Sequence, residues 1–162
     1  MNDIKEIRYR FSNELQTRMD KLGIKECHIS FNCRCRSTAV HEYLAGDCLP
    51  NLWTLSLLAE YLNCTVNDLL DLGTVCDVRN LEDICAFDTF KDEDSFAVHV
   101  RDRILARMKE LNMNREELAR LTGFSLKSIE RWLWLYPHLP QVMKFLEISA
   151  VLDCTPSDLL GY

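Results

Sequence analysis

The segment LNCTVNDLL at residues 62–70 recurs 90 residues later as LDCTPSDLL at residues 152–160, with six of nine positions identical. Pro50 and Pro140 fall on the same offset. Further upstream the offset becomes 89, and the apolar matches are Met19 with Met108, Leu22 with Leu111, Ile29 with Leu118, Val40 with Ile129 and Leu44 with Leu133. A repeat of this kind indicates two structural units of one type. Each unit would contain about 65 residues, a size at which a chain can fold alone.

The composition of the 162-residue chain is that of a globular, helical protein. It is 48% apolar and 27% charged, which excludes the disordered class. It has only five glycines and four prolines, and few breakers favour helices over a turn-rich β fold. No apolar run approaches the roughly 20 residues that cross a membrane, and the N-terminal MNDIKE lacks the apolar segment of a signal peptide. We therefore expect a cytoplasmic protein with no membrane partner, whose eight cysteines stay reduced.

The acidic charge is concentrated between the two copies of the repeat. Of the net charge of −6, residues 1–73 contribute −2, residues 74–94 contribute −5 and residues 95–162 contribute +1. Helical spacing in the middle segment predicts a short amphipathic helix with the apolar residues Val78, Leu81, Ile84, Cys85 and Phe87. We therefore expect a first domain at 1–73, an acidic linker with a short helix at 74–94, and a second domain at 95–162.

Apolar spacing and capping residues predict five helices in each copy. In the second copy they are Ser95–Leu111, Arg115–Thr122, Leu126–Trp134, Gln141–Leu152 and a short helix from Pro156. In the first copy they are Asp3–Leu22, Lys25–Asn32, Ser37–Leu44, Leu52–Leu62 and Val66–Leu70. The expected N-caps of the second copy include Ser95, Asn114, Ser125 and Thr155, whose side-chain oxygens accept from free backbone N–H groups. The expected inward-facing residues include Val98, Ile104, Leu105, Met108 and Leu111 on its first helix, and Leu118, Ala119 and Leu121 on its second.

A tight turn separates the second and third helices of each copy. In the second copy Gly123 supplies the positive φ angle that ends a helix at little cost. Arg34 stands at the matching position of the first copy. Because a residue with a Cβ atom resists that backbone conformation, the first turn is predicted to be strained or altered.

The sequence around this turn resembles a known family. Residues 118–129, LARLTGFSLKSI, resemble the helix-turn-helix core of the Cro/lambda-repressor (XRE) family. Residues 43–50, YLAGDCLP, followed by an apolar helix and NDLL at 67–70, are also similar to that family. The resemblance implies an all-α fold of two tandem five-helix lambda-repressor-like DNA-binding domains, here joined by the acidic linker. It also implies a sequence-specific transcriptional regulator of the phage-repressor type, bound to double-stranded DNA and usually a homodimer.

The resemblance places candidate DNA-binding residues on the helix after each turn. In the second copy these are Leu126, Lys127, Ser128, Glu130 and Arg131, with Asn114 and Arg115 at the start of the preceding helix beside backbone phosphate. Lys127 and Arg131 suit guanine, Glu130 suits cytosine N4 and Leu126 suits a thymine methyl group. In the first copy the candidates are Arg34, Arg36, Ser37, Thr38 and His41. Lys127 and Arg131 also fit a simple solvated face, because they lie four residues apart on one helix.

A protein-binding adaptor or antirepressor is the alternative function. Neither copy has the strong basic excess of an electrostatic DNA binder. Leu126 is apolar where the family often has a polar residue, and Glu130 would repel phosphate if it faced it. Trp132 is expected to pack inward, whereas Trp134 and Tyr136 would form an exposed patch for a protein partner. A mixed arrangement is also open, in which one copy reads DNA and the other pairs subunits.

Enzymatic and metal-dependent functions find little support in the sequence. It has no glycine-rich phosphate loop, no His-Glu metal helix and no nucleophile elbow, so we expect neither enzymatic activity nor a cofactor. Cys33 and Cys35, with Cys27 and His28 nearby, are a conceivable ligand set. However, structural zinc sites usually contain two C-x2-4-C pairs, and buried thiols are the simpler interpretation.

Overall fold

The computed structural model describes residues 3–72, 90, 92–135 and 138–161, and these residues form helices joined by short turns. The chain divides into two compact units, Met1–Phe87 and Asp88–Tyr162. The predicted linker helix with Val78, Leu81, Ile84, Cys85 and Phe87 lies outside the described residues. The same holds for Tyr136 and for the side chain of Trp134.

Unit 1 contains five helices among its described residues, close to the predicted positions. They are α1 (Ile4–Leu22), α2 (Glu26–Asn32), α3 (Ser37–Ala45), α4 (Leu52–Tyr61) and α5 (Val66–Leu69). Asp3, Asn51 and Thr65 cap α1, α4 and α5, because the side chain of each accepts a hydrogen bond from a backbone N–H of the first turn.

Unit 2 repeats this order of helices. They are α6 (Glu93–Glu110), α7 (Arg115–Thr122), α8 (Leu126–Glu130), a π-helical turn (Arg131–Leu135), α9 (Val142–Val151) and α10 (Pro156–Leu160). The predicted helix Leu126–Trp134 is therefore divided, with α8 ending at Glu130 and the wider turn beginning at Arg131. The expected caps Asn114, Ser125 and Thr155 are confirmed by their hydrogen bonds to backbone N–H groups.

The start of α6 corrects the sequence prediction. Asp92, not Ser95, is the N-cap, and its carboxylate accepts from the Ser95 backbone N–H at 2.9 Å. The helix therefore begins at Glu93, inside the segment predicted as linker. The buried face of α6 is formed by Phe96, Ala97, Val100, Ile104 and Met108. Val98 and Leu111, predicted inward, have 36% and 39% of their surface exposed, and Leu111 is the C-cap residue of the helix.

The helices of the two units pack in the same pairs. In unit 1, α1 contacts α3 and α5, α2 contacts α3 and α4, and α4 contacts α5. In unit 2, α6 contacts the π-helical turn and α10, α7 contacts α8 and α9, and α9 contacts α10. Backbones in the left-handed region also match at offsets of 89 and 90: Gly23 with Asn112, Arg34 with Gly123, Asn63 with Asp153 and Asp71 with Gly161.

Each unit has its own apolar core, filled at matching positions. Ile29 and Leu118 are fully buried on α2 and α7, and Leu55 and Phe145 are fully buried on α4 and α9. Leu121 is an exception to the predicted inward face of α7, with 46% of its surface exposed. It lies at the edge of the apolar stripe beside the turn, where its counterpart in unit 1, Asn32, is also exposed. The cores therefore hold α2 against α3 and α7 against α8, which positions the candidate interface.

Candidate nucleic-acid interface

The helix-turn-helix of unit 2 is built from α7, a three-residue turn and α8. Asn114 Oδ1 accepts from the Glu117 backbone N–H at 2.8 Å and starts α7. Gly123 ends it with φ of 72°, in the left-handed region that favours glycine. Ser125 Oγ then accepts from the Ser128 backbone N–H at 3.2 Å and lies 2.9 Å from Ser128 Oγ. The Ser128 hydroxyl is therefore part of the cap of α8.

Helix α8 and the first residue after it expose one apolar and two basic side chains. Leu126 is 37% exposed, and Lys127 and Arg131 are also exposed. Within the described part of the chain, Lys127 and Arg131 form no ion pair. These three residues are consequently available to a ligand of this helix, such as base edges or phosphate.

Arg115 and Glu130, both predicted to touch DNA, are joined to each other. Arg115 Nη1 lies 3.1 Å from Glu130 Oε1, so the pair links the start of α7 to the end of α8. Arg115 Nε also donates to Glu116 Oε1 at 3.0 Å. The hydrogen bond to Glu116, with the nearby Glu116 and Glu130 charges, raises the pKa of Arg115, and the same hydrogen bond lowers the pKa of Glu116. The charge of this guanidinium is thus largely neutralised within unit 2.

An aromatic pair at the turn contacts a lysine that was not predicted from the sequence. Phe124 and Trp132 meet edge to face, with ring centroids 5.6 Å apart. Lys144 of α9 lies over both rings, 5.6 Å and 5.5 Å from their centroids. Trp132, which was expected to pack inward, is half-buried.

The corresponding segment of unit 1, α2, the turn and α3, differs at the turn. Arg34 adopts φ of 51°, so the turn is kept and the arginine backbone takes the conformation that glycine takes in unit 2. Ser30 secures it: its carbonyl accepts from the Cys35 N–H at 3.2 Å and its hydroxyl donates to the Cys35 carbonyl at 2.7 Å. Ser37 Oγ reaches Ser30 Oγ at 3.3 Å, and Arg36 at the N-cap position makes no side-chain cap.

The predicted DNA-binding side chains of unit 1 form an exposed group. Arg34, Arg36, Ser37, Thr38 and His41 are all exposed. No ion pair involves Arg34 or Arg36 within the described residues, in contrast to Arg115 of unit 2. The face of unit 1 therefore presents its cationic side chains without internal neutralisation.

Two arginines of unit 2 serve the fold instead. Arg107 donates to the carbonyl groups of Leu152 and Asp153 at 3.0 Å and 3.1 Å, at the end of α9. Arg103 donates to the Asp158 carbonyl at 2.6 Å. These two arginines line a shallow cleft of about 300 Å³ together with Glu110, Asp153 and Asp158. Because the arginines of this cleft already bond to backbone carbonyls and a carboxylate, we assign them a structural role and not a ligand-binding one.

Of the described cysteines, Cys33 and Cys64 are buried, three are intermediate and Cys27 is exposed. Burial raises the pKa of Cys33 and of Cys64 to about 12, and the pKa of Cys154 to about 11. Protonated thiols at neutral pH are poor nucleophiles and poor metal ligands. His28 Nδ1 faces the Lys25 backbone N–H at 3.3 Å. No group of three His, Cys, Asp or Glu residues among the described residues is placed to hold a metal ion.

Comparison with known proteins identifies the helix-turn-helix of unit 2. Residues 103–162 match the family model of the Cro/C1-type HTH DNA-binding domain. The match begins within α6 and covers more than a third of the chain, and it supports a DNA-binding regulator. No curated protein and no solved structure matches the chain. Over the described residues, no helix has the length and apolar character needed to span a membrane.

Proposed function

We propose that the protein is a sequence-specific DNA-binding transcriptional regulator of the phage-repressor type. The observation that carries the proposal is the Cro/C1-type match over a segment whose α7, turn and α8 form a helix-turn-helix. The N-terminal part of such a second helix enters the major groove. In unit 2 this part presents Leu126 and Lys127, and Arg131 follows at the start of the π-helical turn; Leu126 suits a thymine methyl group, and Lys127 and Arg131 suit guanine.

Unit 1 is proposed as a second helix-turn-helix domain of the same kind. The matching helix pairs, left-handed backbone positions and buried residues support this proposal. Its groove-facing residues would be Arg36, Ser37, Thr38 and His41, with Arg34 in the turn. The proposed domains are 1–73 and 95–162, the second extended to its cap at Asp92. Tandem domains could occupy two half-sites about 34 Å apart, and a homodimer could occupy a longer palindrome.

A protein-binding role is the second candidate, and one observation favours it. The face of unit 2 neutralises Arg115 internally through Glu116 and Glu130, which lowers its attraction for phosphate. Unit 2 would then pair subunits or hold a partner protein, while unit 1 reads DNA. Trp134 and Tyr136 remain the predicted partner residues.

Selection from a randomised pool of duplex DNA, at two salt concentrations and with sequencing of the retained fraction, tests the proposal. An enriched motif whose affinity falls steeply with salt is the expected result. Loss of binding in Arg36→Glu and in Lys127→Glu alike would assign both units to DNA. Loss in Arg36→Glu alone would favour the mixed arrangement. If no DNA were retained even at low salt, the proposal of a DNA-binding regulator would be wrong, and the protein-binding adaptor would be the remaining candidate.

The matched control is a charge reversal of equal size away from both turns. Lys109→Glu, on the exposed side of α6, has this property. It changes the net charge of the chain as much as Lys127→Glu does. If Lys109→Glu reduced binding equally, the loss would reflect net charge and not the recognition helix.

A further inference from the structure

Glu130 was expected to read a base, but its carboxylate is directed to a residue of its own unit. It lies 3.1 Å from Nη1 of Arg115, whose Nε is held by Glu116 at 3.0 Å. Two carboxylates therefore surround one guanidinium at the start of α7, and the trio has a net negative charge. This is the end of α7 that the family resemblance places beside DNA phosphate.

The fold does not require this ion pair. At the offset of 89, Glu26 and His41 of unit 1 stand at the positions of Arg115 and Glu130. Unit 1 packs α2 on α3 as unit 2 packs α7 on α8, although no ion pair joins Glu26 to His41. The side chains of Arg115 and Glu130 are also 44% and 33% exposed, and ion pairs so open to solvent add little stability.

We propose that Glu130 is a specificity-determining residue whose carboxylate occupies the place on Arg115 that a phosphate oxygen of DNA would take. A carboxylate and a phosphate present the same kind of acceptor oxygens to a guanidinium. While Glu130 binds Arg115, unit 2 makes one phosphate contact fewer, so its sequence-independent binding is weaker. Discrimination between base sequences by Leu126, Lys127 and Arg131 then makes up a larger share of the binding. The inference rests on the DNA binding proposed above.

The test is the binding of full-length protein to a random-sequence duplex over a range of salt concentrations. Glu130→Gln keeps the shape of the side chain and removes its charge. We expect tighter binding, and a slope of log K against log salt steeper by about 0.9, as for one more neutralised phosphate. Between 50 and 200 mM salt this steepening corresponds to an affinity loss about 3.5-fold larger than that of the unsubstituted protein. In an Arg115→Ala background the steepening should disappear.

The matched control is Glu110→Gln, which removes a carboxylate paired with Arg107 at 2.8 Å on α6, away from the turn. It should leave the slope unchanged, and thermal melting monitored by circular dichroism checks that each variant is folded. An equal gain for Glu130→Gln with and without Arg115 would overturn the proposal, because Glu130 would then merely repel DNA. Weaker binding would overturn it in favour of a base-reading or supporting role. If neither the unsubstituted protein nor Glu130→Gln bound duplex DNA at low salt, both the proposed function and the inference about Glu130 would be wrong. If both bound with the same affinity and the same slope, only the inference about Glu130 would be wrong.

Discussion

The two turns of the molecule show how one helical arrangement can carry two different surfaces. At Gly123 the backbone takes a left-handed conformation without strain, and Ser125 caps the next helix. At Arg34 the same conformation is held by an arginine, and Arg36 provides no cap. The surfaces differ as well, because unit 2 neutralises Arg115 internally, whereas Arg34 and Arg36 of unit 1 form no ion pair among the described residues. The glycine turn with its serine cap thus stands beside the face with an internally neutralised arginine, so the conformation of the turn and the charge of the face beside it are separate properties here.

The largest expected effects test whether the units are separate folding domains. Ile29→Ala and Leu118→Ala remove matched, fully buried side chains from α2 and α7. Each should cost about 2–5 kcal/mol of unfolding free energy, because apolar contacts are lost and a cavity remains. Since each unit has its own core, we expect each substitution to destabilise mainly its own unit. Urea unfolding followed by residue-resolved hydrogen exchange measures this.

An exposed leucine provides the control for the core substitutions. Leu22→Ala removes a similar volume from a side chain that is 49% exposed, and should change stability far less. If Ile29→Ala and Leu118→Ala lowered protection equally throughout the chain, the two units would form one cooperative domain.

The sequence predicted the helices well because each is encoded by local signals. Caps such as Asn114 and Thr155 and the repeated apolar spacing act within one or two turns of helix. The start of α6 was missed because Asp92, Asp94 and Ser95 all offer capping oxygens, and the sequence does not show which of them caps the helix. One feature of the sequence pointed to the exposure of Val98, because its counterpart in the first copy is Tyr9, which ends in a polar hydroxyl. In the structure Tyr9 is 67% exposed.

The contacts of the candidate site were beyond reach of the sequence. The Arg115–Glu130 pair joins α7 to α8. The contact of Lys144 with Phe124 and Trp132 joins α9 to the turn after α7 and to the π-helical turn. Such contacts depend on helix crossing angles and rotamers, which residue spacing does not specify. The sequence named Arg115 and Glu130 as site residues from the family resemblance, but gave no reason to connect them.

Alkaline pH should distinguish the units through their buried thiols. Unit 1 holds Cys33 and Cys64, both with pKa raised to about 12, whereas unit 2 holds Cys154 with pKa raised to about 11. An unfolded thiol loses its proton near pH 9, while the folded thiol keeps it. The stabilisation is therefore complete below pH 9 and is lost as pH rises toward the folded pKa. Cys33 and Cys64 should each lower stability by about 1.4 kcal/mol per pH unit in this window, and the less buried Cys154 by less.

Urea titrations at pH 7, 9 and 10 measure this dependence, with unit 1 expected to lose stability faster. Cys64→Ala should reduce the pH slope of unit 1 by one proton, although it also lowers stability at pH 7 through lost packing. An unchanged slope in Cys64→Ala would contradict the assigned cause.

Substitutions of the two turn residues should change the unfolding free energy least, and they test the comparison of the two turns directly. Arg34→Gly relieves a left-handed arginine and should stabilise unit 1 by about 1 kcal/mol, offset in part by the greater freedom of glycine in the unfolded chain. Gly123→Ala should destabilise unit 2 by about 1 kcal/mol through backbone strain alone, because no atom lies within 4 Å of the added Cβ. Thermal unfolding of both variants, with Gly23→Ala as a second left-handed glycine with open space, measures the two signs. If Arg34→Gly lowered stability, then contacts of the Arg34 side chain, and not its backbone, would hold the first turn.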